Sequence, residues 1–294
     1  MKKISILLIL FLFLCIDAYS QKVAYAVLED GTLTFYYGKN KPKGAFDVEN
    51  LITIQLDYGN YYNKEWYSVR EQIKTVVFDK SLKKYRPNNC SYWFDHCNNL
   101  TSIRGLAENL YTSEVTDMAY MFSACDHLTT LDVSEFNTNN VTDMACMFWR
   151  CEKLTNLDVS SFNTENVASM WMMFEGCENL TSLDLSGFHT DNLINMNGMF
   201  RRCGTLTSLD LSGFNTENVT DMRGMFKGCI DLKTIDVGDG WNTSDVTESY
   251  EMFGYCRNLI GGQGTKYDHS HTDASYAHID GGESNPGYFT KKTE

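Results

Sequence analysis

A unit of 26 residues recurs through the middle of the chain, and a fixed period of this length restricts the fold more than any single residue does. Its clearest copy is LTSLDLSGFNTENVTDMRGMFKGC at 206–229. Related copies begin at Leu128, Leu154 and Leu180, and degenerate ones at Leu100 and Leu232. Cysteine alone marks the register: Cys97, Cys125, Cys151, Cys177, Cys203, Cys229 and Cys256 follow at intervals of 28, 26, 26, 26, 26 and 27 residues. Units this small bury their apolar faces against their neighbours, which predicts a stack of repeats. Stacks present long open surfaces and rarely enclose a reaction, so the period points to binding.

Within 206–229 two spacings alternate. Leu206, Leu209 and Leu211 form L-x-x-L-x-L, a short strand that turns Asp210 and Ser212 outward. Phe214 closes it, and residues 215–218 are turn and cap types. Val219, Met222, Phe226 and Cys229 then suit one face of a short helix, with Asn218 or Thr220 as N-cap and Asp221 near the positive end of the dipole. The expected fold class is an α/β solenoid, leucine-rich-repeat-like, with short parallel strands on one side, short helices on the other, and N- and C-terminal caps.

The ends differ in character. Lys2 and Lys3 precede the apolar run 4–14, and Ala18-Tyr19-Ser20 supplies small residues for cleavage, so residues 1–20 read as a signal peptide cut after Ser20. Cys15 suggests a lipid anchor, but Leu14 stands where such signals want a small residue, and no anchor is expected there. Residues 21–96 are expected to form an N-terminal capping region, 97–260 about six repeats, and 261–294 a Gly-rich C-terminal cap or tail. Asp30-Gly31 between alternating apolar runs predicts a hairpin, 65–74 a short helix and 75–78 a strand. Tyr61, Tyr62, Trp66 and Tyr67 would either stack on sugar rings or seal the first repeat. Asp268, His269, His271 and Asp273 offer a metal alternative to a C-terminal cap packed through Tyr276, Ile279, Tyr288 and Phe289.

Removing 1–20 lowers the 25 basic residues by two and the 38 acidic ones by one, for a net charge of −14. That balance disfavours nucleic acid and anionic lipid as primary ligands and permits basic proteins or cations. Ten cysteines in an exported chain usually signal disulfides, yet seven hold one repeat position beside Leu and Phe, as small buried hydrophobes do. Mostly reduced thiols are expected, with local Cys90–Cys97 and Cys146–Cys151 pairs as alternatives. No nucleophile elbow, phosphate loop, clustered zinc ligands or cofactor motif is present, so neither enzyme activity nor a cofactor is expected.

The copies at 128–151, 154–177 and 206–229 resemble the repeats of BspA-like leucine-rich-repeat surface proteins of bacteria. The segments AYAVLEDGTLTFYY, EWYSVREQIKTVVFD and GGQGTKYDHSHTDASYAHIDGGESNPGYFT resemble that family's terminal segments, so the likeness spans nearly the whole exported chain. It implies a secreted or cell-surface protein that attaches to extracellular or host proteins such as fibronectin and fibrinogen, or mediates cell–cell co-aggregation. It implies no catalytic residues. A non-catalytic cell-envelope scaffold is the alternative.

Aligned copies give an outward column of Asp132, Asp158, Asp184, Asp210 and Asp236 beside the hydroxyls of Ser134, Ser160, Ser186 and Ser212. Stacked carboxylates repel unless hydrogen bonds to loop N–H groups of the next repeat, bound cations or a basic ligand relieve them. A second column, Asp117, Asp143, Ser169, Asn195, Asp221 and Glu248, reads as helix caps. The Met columns read as core. Positions that vary between copies carry specificity: Trp149, Trp171, Arg201 and Arg202, with Tyr120, Arg223 and Lys227, are anchor types at protein interfaces or simply unconstrained surface.

Overall fold

The computed structural model describes residues 21–56 and 59–292, so the predicted signal peptide and Cys15 lie outside the described residues. Val23–Glu29 (β1) alternates buried and outward side chains and turns through Asp30 and Gly31, at φ 46° and 77°, into Thr32–Gly38 (β2). Two left-handed residues are what a two-residue hairpin needs to match strand twist. Phe46–Asp47 (β3) adds to the far side of β1. A separate hairpin, Leu51–Leu56 (β4) and Gly59–Lys64 (β5), leads into a 3₁₀ helix at Glu65–Gln72. Thr75–Phe78 (β6) lies where a strand was expected, parallel to β2 on one side and to Ser102–Arg104 (β7) on the other. The sheet order is β3-β1-β2-β6-β7. Thr75 pairs with Ser102 and Asn89 with Asp117, so a boundary at 96/97 cuts through a rung already in repeat register.

The expected α/β solenoid of leucine-rich-repeat type, with strands on one side and helices on the other, is not what this chain adopts: its described residues are mostly turns and coil with mixed sheets. Among the described residues the single α-helix is Leu106–Asn109 (α1), and the segments expected to be helical are pairs of tight turns. The repeat containing Cys146 shows why. The N–H groups of Met147, Trp149 and Cys151 donate to the carbonyls three residues back, those of Met144, Cys146 and Phe148. The N–H groups of Met144, Cys146, Phe148 and Arg150 donate to Ser169, Trp171, Met173 and Glu175 in the next repeat, at 2.7–3.1 Å. No donor is left for an i→i−4 ladder.

Cys146 and Arg150, both at φ 55°, hold the third position of successive turns, where a type II turn requires positive φ. The same two positions are Tyr120 and Ala124, then Met172 and Gly176, Gly198 and Arg202, and Gly224 and Gly228. A non-glycine residue there costs about 1–2 kcal/mol, which the bonds to the next repeat and apolar burial offset. Two such turns place Met144, Met147, Phe148 and Cys151 on one buried side. Spacing i, i+3, i+4, i+7 is therefore satisfied without a helix.

The strand side departs from expectation as well. Ser208–Leu211 (β8) and Thr234–Val237 (β9) pair in parallel, and Thr290–Lys291 (β10) extends them. The copies at 128, 154 and 180 contribute only a bridge between Thr130 and Asn156. Pairing forms where Lys292 reaches the Asp column. Bonds from Ser186 lower the carboxyl of Asp184 and outweigh the opposition of its neighbours Asp158 and Asp210.

Buried side chains hold the stack together. Phe94, Phe122, Phe148, Phe174, Phe200, Phe226 and Phe253 form a file with ring centroids 5.5–5.9 Å apart. Cys125, Cys151, Cys177, Cys203, Cys229 and Cys256 each donate a thiol hydrogen to the Phe carbonyl of the preceding repeat, at 3.0–3.3 Å. All nine described cysteines are free and buried. A threonine ladder runs alongside. Thr112, Thr138, Thr164, Thr190 and Thr216 each donate to the carbonyl, and accept from the N–H, of one residue in the next repeat.

The file is sealed at both ends. Trp66, 1% exposed, packs its edge on Phe35 and donates to the Trp93 carbonyl at 2.6 Å, so this member of the aromatic cluster offers no face to a sugar. Tyr61 and Tyr62 side chains lie outside the described residues. At the other end Tyr288 and Phe289 are buried edge-on against Phe253, while Ile279 is exposed. Asp280 fixes this cap. Its carboxylate accepts from the N–H groups of Gln263, Thr265 and Gly282 and from the Thr265 hydroxyl, at 2.7–3.0 Å. Burial opposes ionisation, but those hydrogen bonds outweigh it and hold the carboxyl well below the usual range.

Candidate functional site

The Asp column is relieved locally. Oδ1 of Asp132, Asp158, Asp184 and Asp210 accepts the N–H of the serine two residues on, at 2.9–3.1 Å. Ser134 and Ser160 also donate their hydroxyls to Asp132 and Asp158 at 2.6 Å. These are Asx turns inside each repeat, not the bonds to the next repeat expected from the sequence, because the serine N–H lies within reach of its own Asp. Bonds from Ser160 and Ser186 lower the carboxyls of Asp158 and Asp184. Asp210 differs: against burial, the Lys292 ammonium at 2.8 Å and Ser212 lower it. Asp236 is half-buried in β9, within the field of the same lysine.

The second column caps turns rather than helices. Asp117, Asp143, Asn195 and Asp221 accept the N–H two residues on and open the double turns at 2.8–3.0 Å. In the C-terminal tail Asp268 and Asp273 accept from Ser270 and Ser275 in the same manner, and the His271 ring stacks on Tyr276. Among the described residues no three His, Cys, Asp or Glu side chains are grouped to hold a metal ion.

The side chains that vary between repeats emerge from the double turns. Trp149 lies beside His96 and under the Arg150 guanidinium, 5.4 Å from its ring centre. Trp171 and Arg201 line one groove of about 450 Å³ with Arg223, Lys227 and Tyr250. Arg202 is exposed one residue beyond Arg201. Arg223 grips Asp221 through two nitrogens at 2.7 and 3.0 Å, and Lys227 pairs with Glu251. Arg201 Nε forms an ion pair with Glu175 Oε1 at 3.6 Å, too long for a hydrogen bond. Glu175 is 8% exposed; burial raises its carboxyl pKa, opposed by Arg201 and Arg202.

The fold thus brings Trp171 and Arg201 into one groove, keeps Trp149 and Arg202 on the same turn face, and leaves the Asp column on the strand side. Sequence reasoning missed Tyr250 and Gly224, which line this groove, and Glu175 and Gly198, which lie against one another beside it. A signal existed. Those glycines replace Tyr120, Cys146 and Met172 of the aligned copies.

A stack of turn-rich repeats, capped at both ends and bearing variable aromatic and basic side chains on one face, fits a bacterial repeat surface protein. One family model matches, that of the Mycoplasma protein of unknown function, DUF285, over residues 88–203 and 173–284. Those matches cover more than half of the chain, which belongs to this family. No curated protein and no solved structure matches the chain.

Proposed function

We propose that this chain is an exported surface protein that binds other proteins through the face built by its double turns. One observation carries the proposal: regular positions are consumed in stacking and Asx turns, whereas varied aromatic and arginine side chains collect on that face. Trp, Tyr and Arg are the residues that dominate binding energy at protein interfaces. The likeness to BspA-like surface proteins supplies fibronectin and fibrinogen as first ligands to try. The pairing of Lys292 with Asp210 favours a second reading, in which the exposed Asp132, Asp158 and Asp184 receive a basic segment of a ligand.

The test is binding of residues 21–294 to immobilised fibronectin and fibrinogen. Run beside it are Trp149→Ala with Trp171→Ala, and Asp158→Asn with Asp184→Asn and Asp210→Asn, each checked for folding. At least a tenfold loss confined to the tryptophan variant supports the turn face. Loss confined to the Asn variant transfers the site to the strand side. No saturable binding by the parent chain refutes adhesion to these ligands and leaves the envelope scaffold.

A further inference from the structure

We infer that the open edge of β1, at Leu28, takes an extended peptide segment of another protein as an added strand. The site lies in the N-terminal cap and does not rest on the turn-face reading. β3 covers only part of that edge. Tyr25 pairs with Asp47 and Ala26 with Phe46, and the Val48 N–H donates to the Ala24 carbonyl at 3.4 Å. Successive residues of an antiparallel strand aim their backbone groups at opposite edges. Those of Ala24, Ala26 and Leu28 therefore face the β3 side, and those of Val27 and Glu29 face β2. In the same register Gly44 would pair with Leu28. It does not, because the chain turns away there, with Gly44 at φ 85° and the Ala45 N–H donating to the Pro42 carbonyl.

The Leu28 N–H and C=O have no hydrogen-bond partner among the described residues. A groove of about 810 Å³ opens beside them, between Leu28 and the turn at Pro42 to Ala45. A Cβ built on Gly44 meets nothing within 4 Å, so an added chain has room on that side. These backbone groups select the occupant. An anion satisfies only the donor and a cation only the acceptor, whereas an extended peptide returns both bonds at strand spacing. Residues flanking the one opposite Leu28 would turn their side chains outward with Val27, toward the Tyr25 and Tyr36 rings, which stack 5.4 Å apart on the same face. That favours an apolar side chain beside Val27. Asp30 and Gly31 end the strand, so a single rung is open, which suits a short segment and discourages edge-to-edge aggregation.

The probe is a short fluorescein-labelled peptide alternating valine and threonine between terminal lysines, titrated by anisotropy against residues 21–294. The same peptide with every amide N-methylated is the control. Saturable binding is expected, and N-methylation should abolish it. Leu28→Pro removes the N–H at an edge position that tolerates proline and should raise the dissociation constant about tenfold. Val27→Lys, whose side chain points away from the core, should weaken binding as well, and Trp149→Ala should leave it unchanged. Amide hydrogen exchange needs no variant: the Leu28 N–H should exchange fast in the free chain and become protected when the peptide saturates it. Absence of saturable binding, equal binding of the N-methylated peptide, or a Leu28 amide that stays fast in the complex would overturn the inference. So would protection of Leu28 in the peptide-free chain that grows with protein concentration, which assigns the edge to a second copy. None of these outcomes alters the test of the turn face against fibronectin and fibrinogen.

Discussion

The threonine ladder makes the sharpest energetic statement about this fold. In the central repeat the Thr164 hydroxyl, buried and 0% exposed, donates to the His189 carbonyl at 2.7 Å and accepts the His189 N–H at 2.9 Å. One hydroxyl therefore satisfies a donor and an acceptor of the neighbouring backbone, 25 residues away. Thr164→Val keeps the shape and strands both groups. Each buried unsatisfied polar group costs about 1–3 kcal/mol, partly offset by the added methyl, so a net loss of about 2–4 kcal/mol is expected. Thr164→Ser keeps the hydroxyl and removes one methyl, for a loss of about 1 kcal/mol. Guanidinium unfolding followed by circular dichroism separates them. If Thr164→Val is no less stable than Thr164→Ser, the hydroxyl bridge does not join the repeats and the stacking account fails.

Three further outcomes follow from the same geometry. Asp280→Asn should destabilise the chain by about 2–4 kcal/mol, since a buried carboxylate that accepts five hydrogen bonds is replaced by a weaker acceptor. Because the folded-state pKa of Asp280 is depressed, its contribution is present above the unfolded value near 4 and lost as pH falls below it. In the Asn variant, stability should accordingly vary less between pH 5 and pH 2 than in the parent, and equal slopes would discount the site. The thiols should resist a disulfide reagent at pH 8 until the chain unfolds, because burial pushes that of Cys177 up to about 12 and raises those of Cys151 and Cys203 well above the usual thiol range; fast labelling of folded protein would contradict this. Phe174→Ala, in the middle of the ring file, should cost about 3–5 kcal/mol. Tyr250→Ala should change stability by less than about 0.5 kcal/mol, and comparable losses would refute the division into core and face.

Much of the burial pattern was legible. The period located the Cys, Phe and Met columns because apolar positions recur from copy to copy, and a repeat can bury only what its neighbours cover. Asp30-Gly31 marked its hairpin because left-handed φ is a local demand that few residues meet. The candidate side chains were harder. Trp171 and Arg201 are 30 residues apart in sequence, and nothing local says that they line one groove with Gly224 and Tyr250. Trp66 read equally as a sugar platform or a seal until packing on Phe35 and the bond to Trp93 assigned it to the core.

The sequence by itself determined that the chain would stack units of 26 residues, which positions would be buried, and that cysteine would serve as a small apolar residue. Tertiary structure alone decided how each unit closes. Met144, Met147, Phe148 and Cys151 suit a helix and a pair of turns equally, because both put those four side chains on one side. The choice rests with the backbone N–H groups, and the carbonyls that receive them belong to Ser169, Trp171, Met173 and Glu175 of the next repeat. A donor whose acceptor lies 25 residues ahead leaves no mark in the local pattern, so only the stacked chain could select turns over helix.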